Sequence, residues 1–240
     1  MAERDIEFKV FRYKQGQDAP SYQTFKVRCD ENTTVLVALQ DIRRDQDGTL
    51  IMRHSCHHAS CGTCGMIING REELSCVVKV FDLGTPTVVV EPMRNMPLIS
   101  DLVVDMEPFY DRFNATGLPF IRQSEFLDDA EVAEGIEAYM RCENCIECNL
   151  CVSACPIMGS DPTYLGPAAL AAAWRVVEEP RGIQTQPVLD WVDSANGCWR
   201  CHVAYECNEA CPSGVFPGDQ IMALRRELTK RKFRRLFGGK

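Results

Sequence analysis

The sequence predicts an α+β protein in two parts, a small mixed unit over about the first hundred residues and a helical, cysteine-rich half behind it. Three observations carry this. Apolar residues alternate with polar ones only in the first part. Strand signals almost vanish beyond about residue 106. Fourteen cysteines are gathered into short-gapped clusters.

The elements follow in order. Ile6, Phe8 and Val10 alternate with Glu7 and Lys9, a strand pattern, and Phe25 and Val27 alternate with Lys26 and Arg28 in a second strand. Turn residues from Gln15 to Ser21, with Gly16 and Pro20, separate them. Thr33 or Thr34 is placed to cap a helix in which Val35, Ala38, Leu39 and Ile42 share a face. Met66-Ile67-Ile68 runs into the hairpin signal Asn69-Gly70. Thr87 to Val90 reads as a last strand closed by Pro92. Phe109, Tyr110 and Phe113 lie on a short helical stretch, and Gly117 and Pro119 mark a linker. Gly166-Pro167 starts a helix from Ala168 to Val177 that stops before Pro180.

Length suits one large domain or two small ones. No apolar run is long enough to span a bilayer, and Met1-Ala2-Glu3-Arg4-Asp5 lacks the features of a secretory signal or transit peptide. Residues 225–240 hold eight Lys or Arg and one acid, Glu227, leaving 18 bases and 33 acids elsewhere. An acidic body argues against nucleic-acid binding. The basic tail reads either as a solvated helix end or as a surface that docks an anionic membrane or an acidic partner.

Cysteines at such short gaps make poor disulfide partners, because a bridge needs opposed Cβ vectors. They suit the convergence of several thiolates on a metal centre, and they place the chain in a reducing, cytoplasmic compartment. The first set is Cys56-x4-Cys61-x2-Cys64 with Cys76 further on, the spacing of plant-type two-iron ferredoxins. Gly62 and Gly65 let the loop backbone approach a cluster, and loop N–H groups can stabilise its charge. A zinc knuckle would prefer paired C-x2-C motifs. His54, His57 and His58 flank this loop and read as surface or neighbouring residues, since four cysteines already fill the site.

The other sets form an internal repeat. Cys145-x2-Cys148-x2-Cys151-x3-Cys155-Pro156 is the bacterial four-iron run. Cys201-x2-Ala204-x2-Cys207-x3-Cys211-Pro212 is the same run with Ala204 in place of its second cysteine. In two-cluster ferredoxins the last cysteine of each run serves the other cluster. Crossing the ligands gives a full site of Cys145, Cys148, Cys151 and Cys211 and a short site of Cys155, Cys201 and Cys207, which predicts a 4Fe-4S and a 3Fe-4S cluster. Cys29 reads as a small buried apolar residue. Cys142 and Cys198 lie outside the register and read as non-ligands, although Cys198 is close enough in sequence to complete the short site.

A plant-type two-iron domain followed by a helical two-run domain resembles the iron–sulfur subunit of succinate dehydrogenase and fumarate reductase. The resemblance runs from Phe8 to the basic tail and includes Arg53-x-Ser55-Cys56, Cys61-Gly62-x2-Gly65, Asp101 to Met106 and Gly166-Pro167-Ala168-Ala169. It implies an N-terminal β-grasp 2Fe-2S ferredoxin domain over 1–105 and an all-α bacterial-ferredoxin-like domain over 106–240. It further implies a flavoprotein partner with covalent FAD and a membrane-anchor partner with or without haem b. The expected role is a relay between flavin and quinone through the 2Fe-2S, 4Fe-4S and 3Fe-4S clusters, with no catalytic residue in this chain. The expected location is peripheral, on the cytoplasmic face of a bacterial inner membrane. Quinone is expected beside the three-iron cluster, near Pro156, Ile157, Ser160 and His202, with Arg225 either facing that site or belonging to the basic tail. Pro156 to Ser160 stand where many ubiquinone-linked relatives carry a tryptophan pair, which favours menaquinone. Asn196-Gly197 and Trp199 resemble the fumarate reductase side and His202 the dehydrogenase side, so direction stays open. Two alternatives remain: a subunit of a thiol-linked fumarate reductase or other dehydrogenase, against which Ala204 argues, and a structural zinc protein.

Overall fold

The computed structural model describes residues 3–117, 136–179 and 185–237. The chain divides into two compact units, residues 1–106 with 146–154, and residues 107–145 with 155–240.

In the first unit, β1 (Arg4–Arg12) pairs antiparallel with β2 (Ser21–Cys29), setting Phe8 opposite Phe25 and Ile6 opposite Val27. The inward residues Ile6, Phe8, Val10, Phe25 and Val27 are buried, as the alternation requires. Thr34 caps α1 (Val35–Asp41) by accepting a hydrogen bond from the Val37 N–H. Thr33 instead joins the turn at Asp30. The apolar face of α1, including Ala38 and Leu39, is buried together with Ile42 beyond it. β3 (Gly65–Ile68) and β4 (Arg71–Leu74) form a hairpin through Asn69 and Gly70, both with positive φ. That turn needs left-handed backbone at both positions, which asparagine and glycine adopt most readily. β5 (Thr87–Glu91) runs parallel to β1 and antiparallel to β3, giving the sheet order β2-β1-β5-β3-β4. This is a β-grasp sheet, with its one parallel pair made possible by the crossover through α1.

Two strands that the sequence pattern did not predict follow, β6 (Leu98–Ser100) and β7 (Val103–Val104). They are too short for alternation to register. Between them Asp101, fully buried, accepts from the Arg12 guanidinium at 3.1 Å and from the N–H groups of Tyr13 and Ile51. Arg12 also reaches Asp47 at 2.7 Å and Thr49 at 2.8 Å. A buried charge is stable only when so paired. The result is a braced backbone over 47–51, just ahead of the first cysteine loop.

Among the described residues every regular element after Val104 is helical. α2 (Glu107–Asn114) buries Phe109, stacked 5.5 Å from Phe113. α3 (Ile136–Glu143) buries Tyr139 and Cys142. The one-turn α4 (Leu150–Ser153) packs with the first unit: Ser153 Oγ accepts from the Arg94 N–H at 2.9 Å and donates to Glu72, and Asn95 donates to the Val152 carbonyl at 2.8 Å. α5 (Pro156–Ser160) follows Cys155 directly. α6 (Pro167–Glu178) is buried on nearly every face from Pro167 to Ala173 and forms the middle of the second unit, packed by α2, α3, α7 (Gln186–Val192) and the last helix of the chain, described next. α8 (Glu206–Glu209) is one turn, and α9 (Pro217–Phe237) buries Ile221, Leu224 and Leu228 at helical spacing. Past Leu228 the apolar residues Phe233, Leu236 and Phe237 are exposed. No helix among the described residues is long and apolar enough to cross a membrane.

Candidate cluster sites

The first cysteine set sits wholly in the first unit. His57, Ala59 and Gly62 have positive φ, which curls the loop so that its N–H groups turn inward. Cys56 Sγ accepts from the N–H groups of His58, Ser60 and Cys61 at 3.5, 3.3 and 3.3 Å. These donors, that of His58 foremost, pull the Cys56 thiol down to about 7, so the anion that a metal would bind is accessible near neutral pH. The Ala59 N–H also points at the Cys76 sulfur, at 3.4 Å. Four thiolates, two per iron, are what a two-iron cluster requires. Burial pushes Cys64 up to about 11, a cost that a bound cation reverses.

Local structure explains why Cys76 arrives there. The first N–H groups of α1, those of Val35 and Leu36, donate to the carbonyls of Val78 and Ser75. Ser75 in turn gives its N–H and its hydroxyl to the Cys64 carbonyl at 3.2 and 3.0 Å. His57 and His58 are exposed and His54 is half-buried. His54 and His57 share a ring nitrogen contact of 3.2 Å, and the His58 ring hydrogen-bonds the Cys56 carbonyl.

Gly62 makes the tightest approach in this unit. A Cβ there would lie 2.7 Å from Cys148 Cβ and 2.9 Å from the Ile146 carbonyl oxygen. The two-iron loop thus lies against the segment that carries Cys148 and Cys151, both in the first unit, whereas Cys145 and Cys211 belong to the second.

The two runs repeat in three dimensions at an offset of 56 residues. Glu147 and Asn149 have φ of 54° and 67°, Val203 and Tyr205 both have 61°, and α4 and α8 follow at the same register. Cys148 therefore corresponds to Ala204, and Cys151 to Cys207. None of these left-handed residues is glycine, and holding four of them so has an energetic cost.

In the second unit, Cys155, Cys201 and Cys207 line one small cleft, together with Pro156, Ile157, Tyr164, His202, Ala204 and Tyr205. Cys155 accepts from the N–H groups of Met158 and Ile157 at the start of α5, and Cys201 from Val203 at 3.4 Å. The Gly218 N–H donates to Asn208 Oδ1 at 2.7 Å, beside Cys207. Burial dominates the thiols all the same, raising Cys155 and taking Cys207 up to about 12. His202 is exposed at the rim. Ser160 and Arg225 are not among the lining residues: Ser160 donates to the Ile157 carbonyl, and Arg225 donates to the carbonyls of Cys198 and Cys201 at 2.9 and 2.5 Å. The sequence did not indicate that clamp, nor the lining role of Tyr164. Cys29, Cys142 and Cys198 are buried. Among the described residues no three Cys, His, Asp or Glu side chains gather around a single-ion point, an arrangement that clusters, with ligands on separate irons, do not require.

A β-grasp sheet with a four-cysteine loop, joined to a helical half with twin cysteine runs, defines an iron–sulfur protein of the double-ferredoxin class. The chain matches a 2Fe-2S iron-sulfur cluster binding domain over residues 7–111 and a 4Fe-4S dicluster domain over residues 141–215. It is 37% identical to the fumarate reductase iron-sulfur subunit of Mycobacterium tuberculosis, over 90% of each chain. It is 30% identical to the mitochondrial succinate dehydrogenase [ubiquinone] iron-sulfur subunit of Candida glabrata, over 92% of this chain and 90% of that one. Its fold matches a chain of the Mycobacterium smegmatis Sdh1 complex in the apo form with a TM-score of 0.83 at 22% identity, covering 97% and 98% of the two chains. The chain belongs to the family of iron–sulfur subunits of fumarate reductase and succinate dehydrogenase.

Proposed function

We propose that this chain carries electrons one at a time between a flavoprotein with covalent FAD, where succinate and fumarate interconvert, and a quinone held at a membrane anchor. Domains of 1–105 and 106–240 hold the three carriers. The proposed ligands are Cys56, Cys61, Cys64 and Cys76 for 2Fe-2S; Cys145, Cys148, Cys151 and Cys211 for 4Fe-4S; and Cys155, Cys201 and Cys207 for 3Fe-4S. When bound, these groups supply one-electron acceptors and donors in series. The protein's own work is to order them, to exclude water and to aim N–H donors at sulfur.

The observation that carries this reading is the 56-residue repeat, which sets Ala204 at the position of Cys148 inside a cleft lined by three thiols. A methyl group there removes one ligand without moving the loop. The contact of Gly62 with Cys148 supports a short path from the two-iron loop to the four-iron run. Pro156, Ile157 and His202 in the lining of the three-thiol cleft support quinone there, with menaquinone favoured. Arg225 reads best as a brace of the cluster loop rather than a quinone contact. The proposed location is peripheral, on the cytoplasmic face of a bacterial inner membrane, bound to an anchor that carries haem b or none.

The test is electron paramagnetic resonance of the purified complex, prepared without oxygen. A three-iron cluster is paramagnetic when oxidised, and Ala204→Cys is expected to replace that signal with one seen only on reduction. An oxidised sample with no paramagnetic signal would refute the three-thiolate assignment. Assays of succinate oxidation and of quinol-driven fumarate reduction on the same complex establish direction.

A further inference from the structure

Within α9 the side chains change partners past Leu228. Ile221, Leu224 and Leu228 face the domain and are buried. Arg231 then donates to Glu227 at 2.8 Å and to Gln186 at 3.0 Å, and Lys232 pairs with Asp193 at 2.7 Å. Beyond Lys232 the chain stays helical to Phe237, yet no side chain there makes a hydrogen bond or ion pair among the described residues. Phe233, Leu236 and Phe237 are 59%, 76% and 78% exposed, and the two phenyl rings stack 5.8 Å apart. At about 100° per residue, Phe233 and Phe237 stand roughly 140° and 180° round the helix from Leu228. This second apolar stripe therefore points away from the domain rather than extending its core face. Lys230 and Arg234 border it on one side and Lys232 on the other. Lys230 and Arg234 are exposed and hold no ion pair among the described residues.

We propose that residues 230–237 dock on an anionic bilayer surface. Phe233, Leu236 and Phe237 enter the boundary between headgroups and acyl chains, while Lys230 and Arg234 meet lipid phosphates. The inference rests on the peripheral membrane reading above and adds a contact made by this chain itself. An apolar stripe edged by bases is the pattern of a helix lying in the bilayer interface, because long basic side chains reach the phosphates from its borders. Charge is segregated to match: residues 225–240 hold eight bases and one acid, against 18 bases and 33 acids elsewhere. An anionic surface attracts this helix end and repels the acidic body, which fixes the end that attaches.

The experiment is flotation of the full chain, purified with its clusters, on vesicles of phosphatidylcholine alone and of an equal mixture with phosphatidylglycerol. Binding is expected to the mixed vesicles, to weaken with added salt, and to be slight on the neutral ones. Lys230→Gln with Arg234→Gln should lower affinity for the mixed vesicles roughly tenfold to thirtyfold. Phe233→Gln with Phe237→Gln should lower it tenfold or more, since it removes both rings from the stripe. All four positions are exposed, and unchanged circular dichroism and cluster absorbance establish that each variant folds. Equal binding to both kinds of vesicle overturns the proposal, as does full binding by either folded double variant. If the wild-type chain ignores vesicles while the complete complex still sediments with native membranes, the proposal fails and the peripheral location stands on the anchor. If the complete complex also stays in solution, the location fails with it.

Discussion

Gly62 shows how much one missing side chain can position. Its φ of +69° and its approach to Cys148 both exclude a Cβ. An alanine there costs about 1–2 kcal/mol for the left-handed backbone, and the overlap adds about 1–3 kcal/mol. Gly62→Ala is therefore expected to lower the melting temperature and to reduce two-iron content measured by its reduced-state paramagnetic signal. A variant with full two-iron content and unchanged melting would show that the contact has no structural weight. Arg225 is a second single-residue device. Its guanidinium bridges the Cys198 and Cys201 carbonyls and lies 5.7 Å from the Trp199 ring. A lysine keeps the charge but not the planar fork. Arg225→Lys should therefore lose part of the signal of the proposed three-iron cluster while the two-iron signal stays whole, and equal loss of both would point to general unfolding. Neither role was legible in sequence. Gly62 was visible as a loop glycine, but the partner it approaches is 86 residues away, and Arg225 looked like one more base in a basic tail.

At the scale of elements, alternation and capping signals anticipated most of the first unit. Strands β1, β2, β3 and β5 and the cap of α1 fall where those patterns put them, because each element buries one face and its spacing records which. Thr33 and Thr34 were indistinguishable until the Asp30 turn engaged one of them. The pair β6 and β7 escaped notice because its strands are too short to show alternation, and the Asp101–Arg12 network beside it leaves no periodic trace. That network gives an acid-stability expectation. The Asp47 carboxyl is held well below the usual carboxylate range by the Thr49 hydroxyl first and by Arg12 next. A group whose folded pKa is depressed contributes stability that is present above its unfolded pKa, about 4, and lost as pH falls below it. Wild type should thus lose melting temperature more steeply than Asp47→Asn between about pH 5 and pH 3. Comparing the two profiles cancels the acid lability that both share, and parallel profiles would show that Asp47 carries no such linkage.

At the scale of the whole chain, the cysteine spacings declared the chemistry, and Ala204 declared the asymmetry between the two runs. What spacing could not declare is that residues 146–154, from the middle of the first run, pack with the first unit. The reason is physical: the anchors are Ser153 against Arg94 and Glu72, Asn95 against Val152, and Leu150 3.1 Å from where a Gly65 Cβ would stand. These are long-range contacts between ordinary residues, with no local signature. They make the two-iron unit dependent on chain that lies beyond the helical stretch after residue 106. A fragment of residues 1–117 retains the whole sheet and all four cysteines of the first set, yet it lacks the segment that covers Gly62 and Gly65 and meets Ser153's partners. Exposing that surface removes buried contacts on one side of the cluster loop and admits water to it. The fragment is expected to fold with native-like far-ultraviolet circular dichroism but to melt earlier than the two-iron unit of the full chain. Its two-iron absorbance should also bleach faster in air. Joining residues 146–154 to the fragment through a flexible linker should recover part of both losses. A bare fragment as stable as the intact chain, in melting and in bleaching, would mean that the covering segment merely lies on the two-iron unit without supporting it.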